Sequence, residues 1–398
     1  MLSVFVLLSY DASSNKSLVG QDSKNISDTS DASHSTQGDP SGSPKKDPES
    51  NKPNKSYEIE NSSSLAKSPV YPHTSVPFQH ITASLGNKFS DRHYSSLNNA
   101  IDRNNFYRWF SGFTDSEGCF FIHRINKGRS FQFIFKISLH QDDEAVLQYI
   151  KRTLNMGQIH HSGTIATFFV SKREHIAEIL ENFYNYSLNT KKHLDFSDFK
   201  RAFKLYISSR SKTELIKDIE IIKSGMNRYR TNFDMPADHE YKITPYWLLG
   251  FVEGDGSFYI AKKGYRLIFS ICQSSIDSVI LYKIREFLFD LPYVNRQTMQ
   301  ITNIRITEYK GSSINSMAKL DIDLVDILKF VNIPFFNSMT WHSKKFLDFE
   351  DWKRVFMLKE KGLQDTEQGL KAIDEILMRM NNKRLSNSRH LSVDRESI

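Results

Sequence analysis

Two stretches of this chain, Trp109-Phe110-Ser111-Gly112-Phe113-Thr114-Asp115-Ser116-Glu117-Gly118-Cys119-Phe120 and Trp247-Leu248-Leu249-Gly250-Phe251-Val252-Glu253-Gly254-Asp255-Gly256-Ser257-Phe258, carry one pattern twice, 138 positions apart. A second pair follows in the same order, 153 positions apart. It is Thr190-Lys191-Lys192-His193-Leu194-Asp195-Phe196 with Phe199-Lys200, against Ser343-Lys344-Lys345-Phe346-Leu347-Asp348-Phe349 with Trp352-Lys353. Each copy is therefore a unit of roughly a hundred residues, the size of a small domain. Two copies predict a pseudo-twofold monomer, since a solenoid needs three or more.

The segments after each motif read alike. Residues 119–125 form an apolar, strand-like run, a turn falls at Lys127-Gly128-Arg129, and Phe131, Phe133, Phe135, Ile137 and Leu139 then alternate with Gln132, Ile134, Lys136 and Ser138. That is a hairpin with one buried face. In the second copy residues 258–262 and 265–272 flank Gly264, with Tyr265, Leu267, Phe269 and Ile271 as the inward set. A helix is predicted to begin near Asp142, with Val146, Leu147, Ile150 and Leu154 spaced three and four apart, and to stop near Gly157. Further strands are expected over 158–170 and about 297–320, followed by a helix before each Lys-Lys pair. Each half is thus α-β-β-α-β-β-α in outline, an α+β fold.

Outside the repeats the composition changes. Residues 1–100 hold 23 Ser, 7 of the 11 Pro and 3 of the 29 Phe, too little apolar surface to offset the entropy of ordering, and are predicted to be a disordered tail. The expected organisation continues with repeats over 101–223 and 244–380, a linker over 224–243 and a basic, flexible tail over 381–398. The 53 Lys and Arg against 46 Asp and Glu leave a charge of +7, which favours an anionic partner. Cys119 and Cys272 are the only cysteines, which excludes a disulfide framework or a Cys-based zinc site and leaves them as packing or groove-facing residues. No run approaches the roughly 20 apolar residues of a membrane-spanning helix, so the chain reads as soluble with no membrane partner.

The motif itself carries chemistry. Gly112 and Ser116, and Gly250 and Gly254, place small residues four apart on one helix face, where two backbones can approach closely. If the two motif helices pair, Glu117 and Asp255 meet at their ends, each followed by a glycine that lets the helix turn into a strand. Two clustered carboxylates repel unless a cation lies between them, and hard oxygen ligands suit Mg²⁺ in phosphodiester hydrolysis. The earlier acids Asp115 and Glu253 point some 200° away at about 100° per residue, so one acid per motif converges. A lone acid at a helix end is usually a solvated surface group; the duplication lifts this pair above that reading. His160-His161 lie on opposite faces of a strand, without a third ligand in register, and read as solvent-facing residues or phosphate contacts.

The two stretches resemble the LAGLIDADG motif, and residues 104–355 are similar to the two-repeat LAGLIDADG homing endonucleases and maturases of fungal mitochondrial introns. The resemblance implies motif helices at a central interface and two antiparallel sheets forming a DNA-binding saddle. It implies that Glu117 and Asp255, with the backbone around Gly118 and Gly256, hold Mg²⁺ or Mn²⁺ against the scissile phosphates, so that both strands of double-stranded DNA are cut. The family's water-positioning Gln maps onto Gln273, but Leu139 stands in its place in the first half. Its Lys maps onto Lys191 and Lys344, with Lys192 and Lys345 open as the true occupants, and a phosphate-clamp role open beside catalysis. The basic residues 383–395 are expected to add weak nonspecific affinity for nucleic acid.

Outward positions on the hairpins give candidate DNA-binding residues: His123, Lys136 and His140 in the first half, Tyr259, Lys263 and Arg266 in the second. The resemblance places the protein in the mitochondrion, although the tail lacks an Arg-rich, acid-poor import signal. It leaves two rivals to the nuclease: a maturase binding its own intron RNA, and an inactive DNA-binding relic, against which the two intact acids argue.

Overall fold

In the computed structural model, which describes residues 91–208, 212–309 and 316–384, the duplicated sequence becomes a duplicated architecture. The first half runs α1 (Asp91–Glu117), β1 (Gly118–Ile125), β2 (Ser130–His140), α2 (Glu144–Leu154), β3 (Gln158–Ser162), β4 (Ile165–Val170), α3 (Arg173–Asn185), α4 (Lys192–Ser208) and α5 (Lys212–Ser224). The second runs α6 (Pro245–Asp255), β5 (Gly256–Ala261), β6 (Arg266–Ser274), α7 (Ser278–Phe289), β7 (Arg305–Tyr309) and β8 (Met317–Ile322). Then α8 (Val325–Ile327) passes through a π-helical segment, Leu328–Asn332, into α9 (Ile333–Asn337), before α10 (Lys345–Glu360) and α11 (Glu367–Leu377). Each half makes one four-stranded antiparallel sheet, in the orders β1-β2-β4-β3 and β5-β6-β8-β7. No helix among the described residues is long and apolar enough to cross a membrane.

Alternation sets the faces of the sheets. Phe120, Ile122, Phe131, Phe133 and Phe135 are buried under helices of the first half, as Phe258, Ile260, Leu267 and Phe269 are in the second. Each fully buried side chain of this size contributes about 1.5–3 kcal/mol over exposure. A one-residue slip of β2 would expose three phenylalanines at once, which pins the register. In that register Leu139 lies opposite Ala166 and Gln273 opposite Ala318, so the two positions are structural equivalents.

The two halves meet through α1 and α6, the most extensive contact between any two elements. Pro245 occupies the first turn of α6, and the Thr244 hydroxyl accepts from Trp247 N at 3.2 Å. The glycines permit direct backbone contact. A Cβ at Gly112 would lie 1.9 Å from the Trp247 carbonyl oxygen, and one at Gly250 2.1 Å from that of Trp109. Gly254 packs against the Ser116 side chain in the same way.

Several expectations are corrected. Helix α1 begins at Asp91, so 91–100 belong to the motif helix rather than to a disordered tail; once a helix is anchored by its buried end, each added residue gains a hydrogen bond for little cost. The rest of the predicted tail, residues 1–90, lies outside the described residues. Residues 381–384 form a 3₁₀ turn tied into the second half, not the start of a flexible tail, whereas 385–398 lie outside the described residues. The expected linker begins later than 224, because Asn227 and Arg230 are locked onto α4. Residues 301–303 are a 3₁₀ turn rather than part of a strand. The glycines after the motif acids do not supply a left-handed conformation: Gly256 has φ −76°, and Gly118 is not at positive φ either. They are needed for space, since a Cβ there would meet Val252 Cγ1 at 2.6 Å and Thr114 Cγ2 at 2.5 Å.

Candidate active site

Helices α1 and α6 end side by side, and their last residues are Glu117 and Asp255. A Cβ at Gly254 would lie 3.2 Å from Glu117 Cγ, which puts the Glu117 side chain beside the residue preceding Asp255. The two carboxylates thus lie at the same end of the pseudo-twofold interface, and Lys345 feels the charge of both. Gln273 Nε2 donates to Asp255 Oδ2 at 2.7 Å and orients that carboxylate. Burial raises the Asp255 carboxyl above the usual aspartate range, opposed by the Gln273 bond and by the positive charges of Lys192 and Lys345.

Those lysines correct the sequence mapping. Lys192 Nζ donates to the Thr114 and Ser116 carbonyls at 3.0 and 3.1 Å, and Lys345 Nζ to those of Gly254 and Gly256 at 2.9 and 2.6 Å. Each ammonium therefore sits at the carboxyl end of its own motif helix, where the helix dipole favours a cation. Burial pulls the Lys345 pKa down, while Asp255 and Glu117 hold it up. Lys191 and Lys344 are tied down through the main chain instead. Their backbone N–H groups donate to Asp277 Oδ1 at 2.7 Å and Asp143 Oδ1 at 3.0 Å, and the Lys344 side chain is exposed. The reason is local: these residues open α4 and α10, and the second Lys of each pair is the one turned toward the motif helix.

Asp143 and Asp277 were unrecognised in the sequence as caps of α10 and α4, and each crosses to the opposite half. The earlier motif acids have a parallel role. Asp115 is buried and accepts from Asn189 N at 2.8 Å, Thr190 N at 3.0 Å, Thr190 Oγ1 at 2.6 Å, and Trp247 Nε1 of the other motif at 2.9 Å. Glu253 mirrors it, accepting from His342 N at 2.7 Å, Ser343 N at 2.6 Å and Trp109 Nε1. Burial raises both carboxyls, and these donors oppose the rise. The two acids point away from the convergent pair, as their 200° offset predicts, and hold the segments that lead into Lys192 and Lys345.

A further duplication completes the frame. Met226-Asn227-Arg228-Tyr229-Arg230 and Met380-Asn381-Asn382-Lys383-Arg384 lie 154 positions apart, close to the offset of the Lys-Lys pairs. Asn227 and Asn381 adopt left-handed φ of 55° and 57°. Their side chains donate to the Phe120 and Phe258 carbonyls, and their backbone N–H groups to Asp195 and Asp348. Arg230 clamps Asp195 and Asp198; Arg384 clamps Asp348 and Asp351. The repeated Met-Asn-x-x-Arg was the available signal, diluted by the basic residues around it.

The candidate DNA contacts lie on the outer faces, apart from Lys263 in the exposed turn between β5 and β6. His123 and Lys136 share the first face; His140 also does, but its Nδ1 accepts from Asp142 N at 3.2 Å. Tyr259 and Arg266 share the second face, with Tyr259 Oη accepting from Lys319 Nζ at 3.1 Å and Arg266 3.4 Å from Asp323. Lys319 and Arg305, missed in the sequence, belong to this face through the β7-β8 register. Cys119 and Cys272 are outward as well, and His160 faces outward while His161 pairs with Glu144.

No group of three or more His, Cys, Asp or Glu among the described residues gathers as a metal cage. The donor set is two carboxylates with nearby backbone carbonyls. That set fits a hard ion such as Mg²⁺, which usually keeps several waters and takes further oxygens from a phosphate.

Comparison with known proteins agrees with the duplicated fold. An uncharacterized mitochondrial protein of Saccharomyces cerevisiae, RF1, is 28% identical over 331 residues, 80% of this chain and 68% of that protein. A probable intron-encoded endonuclease of Schizosaccharomyces pombe, Cox1-I1b, is 29% identical over 324 residues, 77% of this chain and 78% of that protein. Among solved structures, the LAGLIDADG homing endonuclease I-GzeII in complex with its DNA target is similar with a TM-score of 0.59 at 25% identity, covering 70% of this chain and 99% of that one. The fold is shared with I-LtrWI, a LAGLIDADG homing endonuclease bound to target DNA, with a TM-score of 0.62 at 24% identity over 71% and 100% of the two chains. The family profile described as LAGLIDADG endonuclease matches residues 110–203 and 248–356, more than half of the chain. The chain belongs to the LAGLIDADG endonuclease family.

Proposed function

We propose that this protein is a monomeric homing endonuclease that cuts both strands of a long, non-palindromic DNA target. The observation that carries the reading is the convergence of Glu117 and Asp255 at adjoining helix ends, with Lys192 and Lys345 beside them. One chain supplies both halves, so a single molecule presents two carboxylates to two strands. Mg²⁺, held by Glu117 and Asp255 with carbonyls at the motif ends, would supply Lewis acidity and a more acidic water.

The chain's own residues do the rest. Gln273 fixes the rotation of the Asp255 carboxylate and leaves its amide oxygen to accept from a water. Lys192 and Lys345 place positive charge where phosphate charge develops. Leu139 offers neither donor nor acceptor, so the first half lacks the polar group that Gln273 provides in the second. The unlike outer faces of the two sheets support a target without twofold symmetry. The mitochondrial and intron-encoded relatives support a mitochondrial location and a role in intron mobility.

The test is to incubate the full chain with a duplex spanning the intronless insertion site, with and without Mg²⁺, alongside Glu117→Gln and Asp255→Asn. Metal-dependent cleavage of both strands, lost in both variants that still bind, is expected. Tight binding to the intron RNA without any duplex cutting would overturn the nuclease reading in favour of a maturase.

A further inference from the structure

The outer faces of the two sheets are chemically unlike. On the first, Phe121 and Ile134 are cross-strand neighbours, Ile165 lies opposite His140, and Phe169 opposite Lys136. Phe121 and Ile165 are 39% and 37% exposed, and Lys136 Nζ lies 5.7 Å from the centre of the Phe121 ring. The strands of this face carry no carboxylate; one stands at its edge, Asp142, whose Oδ2 lies 3.3 Å from His140 Nδ1. It is an apolar strip edged by a cation and histidines.

The second face is a lattice of charges. Arg305 donates to both carboxylate oxygens of Asp323 at 2.7 and 3.1 Å, and Arg266 lies 3.4 Å from the same group. Lys319 Nζ is 3.1 Å from both the Tyr259 hydroxyl and Asp321 Oδ1. Ile268, the aliphatic residue opposite Tyr259, is 3% exposed and offers no apolar surface. The cationic side chains here are already held at fixed positions by their acidic neighbours.

Both faces run straight on from the convergent carboxylates, since β1 follows Glu117 and β5 follows Asp255. A duplex lying across the acids therefore lies against both. In the major groove the thymine C5-methyl is the apolar group, and guanine O6 and N7 are the acceptor pair suited to Arg or Lys. We propose that the two half-sites are read by different chemistry: the first sheet reads a thymine-rich half-site through methyl contacts to Phe121, Ile134, Ile165 and Phe169, and the second reads guanines through Arg266, Arg305 and Lys319. This rests on the nuclease reading for the orientation of the duplex.

The test begins with selection of tight-binding duplexes from a random library by the full chain, a step that needs no cleavage. In the winning sequence, thymines are replaced by deoxyuridine and guanines by 7-deazaguanine, one half-site at a time, and Kd and cutting are both measured. Deoxyuridine in one half should weaken binding by about fourfold per contacted methyl, and 7-deazaguanine should weaken it in the other half only. Phe121→Ser and Ile165→Ser, at exposed positions that leave the fold intact, should each reduce the deoxyuridine penalty, with Ile134 and Phe169 keeping the remainder, and leave the 7-deazaguanine penalty unchanged. A duplex bound and cut with no deoxyuridine penalty, or a penalty unchanged in both variants, overturns the inference and leaves the nuclease reading standing. Failure to enrich any duplex overturns both.

Discussion

Replacing Lys345 with Met and, separately, Lys344 with Met separates the two members of the Lys-Lys pair. Lys345→Met removes the donors to Gly254 O and Gly256 O at 2.9 and 2.6 Å and the charge beside Asp255 and Glu117. Its effect on folding is expected to be a measurable loss, because removing one charge strands the buried Asp255 carboxyl and the Gly254 and Gly256 carbonyls, so the rate is read on variant protein that still binds the duplex. Its effect on the reaction is expected to be large. A preorganised donor aimed at developing charge in a closed site is worth about 10²–10³ in rate, or about 2.7–4 kcal/mol. Lys344 acts through its backbone N–H, which donates to Asp143 whatever the side chain, so Lys344→Met should alter the saturated rate by less than about threefold; if its exposed ammonium contacts a phosphate, affinity and the salt slope fall instead. The assay is single-turnover cleavage at saturating protein with each DNA strand labelled separately. A hundredfold slower rate in Lys344→Met, with Lys345→Met near wild type, would refute the assignment.

Trp109→Phe removes one of the three donors to the buried Glu253 and should cost about 1.5–3 kcal/mol in urea unfolding, with a smaller loss in a Glu253→Gln background. His342 stacks on Tyr149 and meets Trp109 edge-on, and burial holds its imidazole down to about 4 against 6.5 unfolded. The folded state therefore binds fewer protons between those values, and stability falls as pH is lowered through that window. His342→Phe keeps the stacking and should remove about 2 kcal/mol of that pH dependence, allowing for partial solvent screening; His193, also held down to about 4, keeps some slope in place. A chain ending at residue 380 loses Arg384 and leaves Asp348 and Asp351 short of a partner, costing about 3–5 kcal/mol, where a flexible tail would cost nothing; the urea midpoint distinguishes the two.

The sequence exposed what repeats and alternates. The duplicated motif, the hairpin faces and the small residues at Gly112 and Gly250 were legible because each obeys a period or an offset. Contacts made between distant segments were hidden. Asp143 looks like the cap of the helix that follows it, yet its carboxylate binds Lys344 N some 200 positions away. Glu253 and Asp115 showed their direction but not their donors. The Lys shift arose because adjacent residues at a helix start differ by one position in sequence and by a large rotation in space. Composition concealed Arg384, which looks like one more cation in a basic tail until its acidic partners are seen.

The frame and the chemistry obey different symmetries. Asp115 with Glu253, Asp143 with Asp277, Lys192 with Lys345, and Arg230 with Arg384 are equivalent pairs with equivalent partners, and the first two pairs reach across the interface. Each half thereby holds the helix start that positions the other half's lysine, so neither acid site is set by one half alone. The unpaired positions are those that the proposed nuclease would turn to its substrate: Leu139 against Gln273, and the apolar first face against the charged second. Buried groups cannot change singly, because a lost partner strands a desolvated charge. Outward side chains can change one at a time with little effect on stability. A pseudo-symmetric scaffold with an asymmetric surface is therefore the expected result where paired buried groups are held and outward side chains are free to diverge.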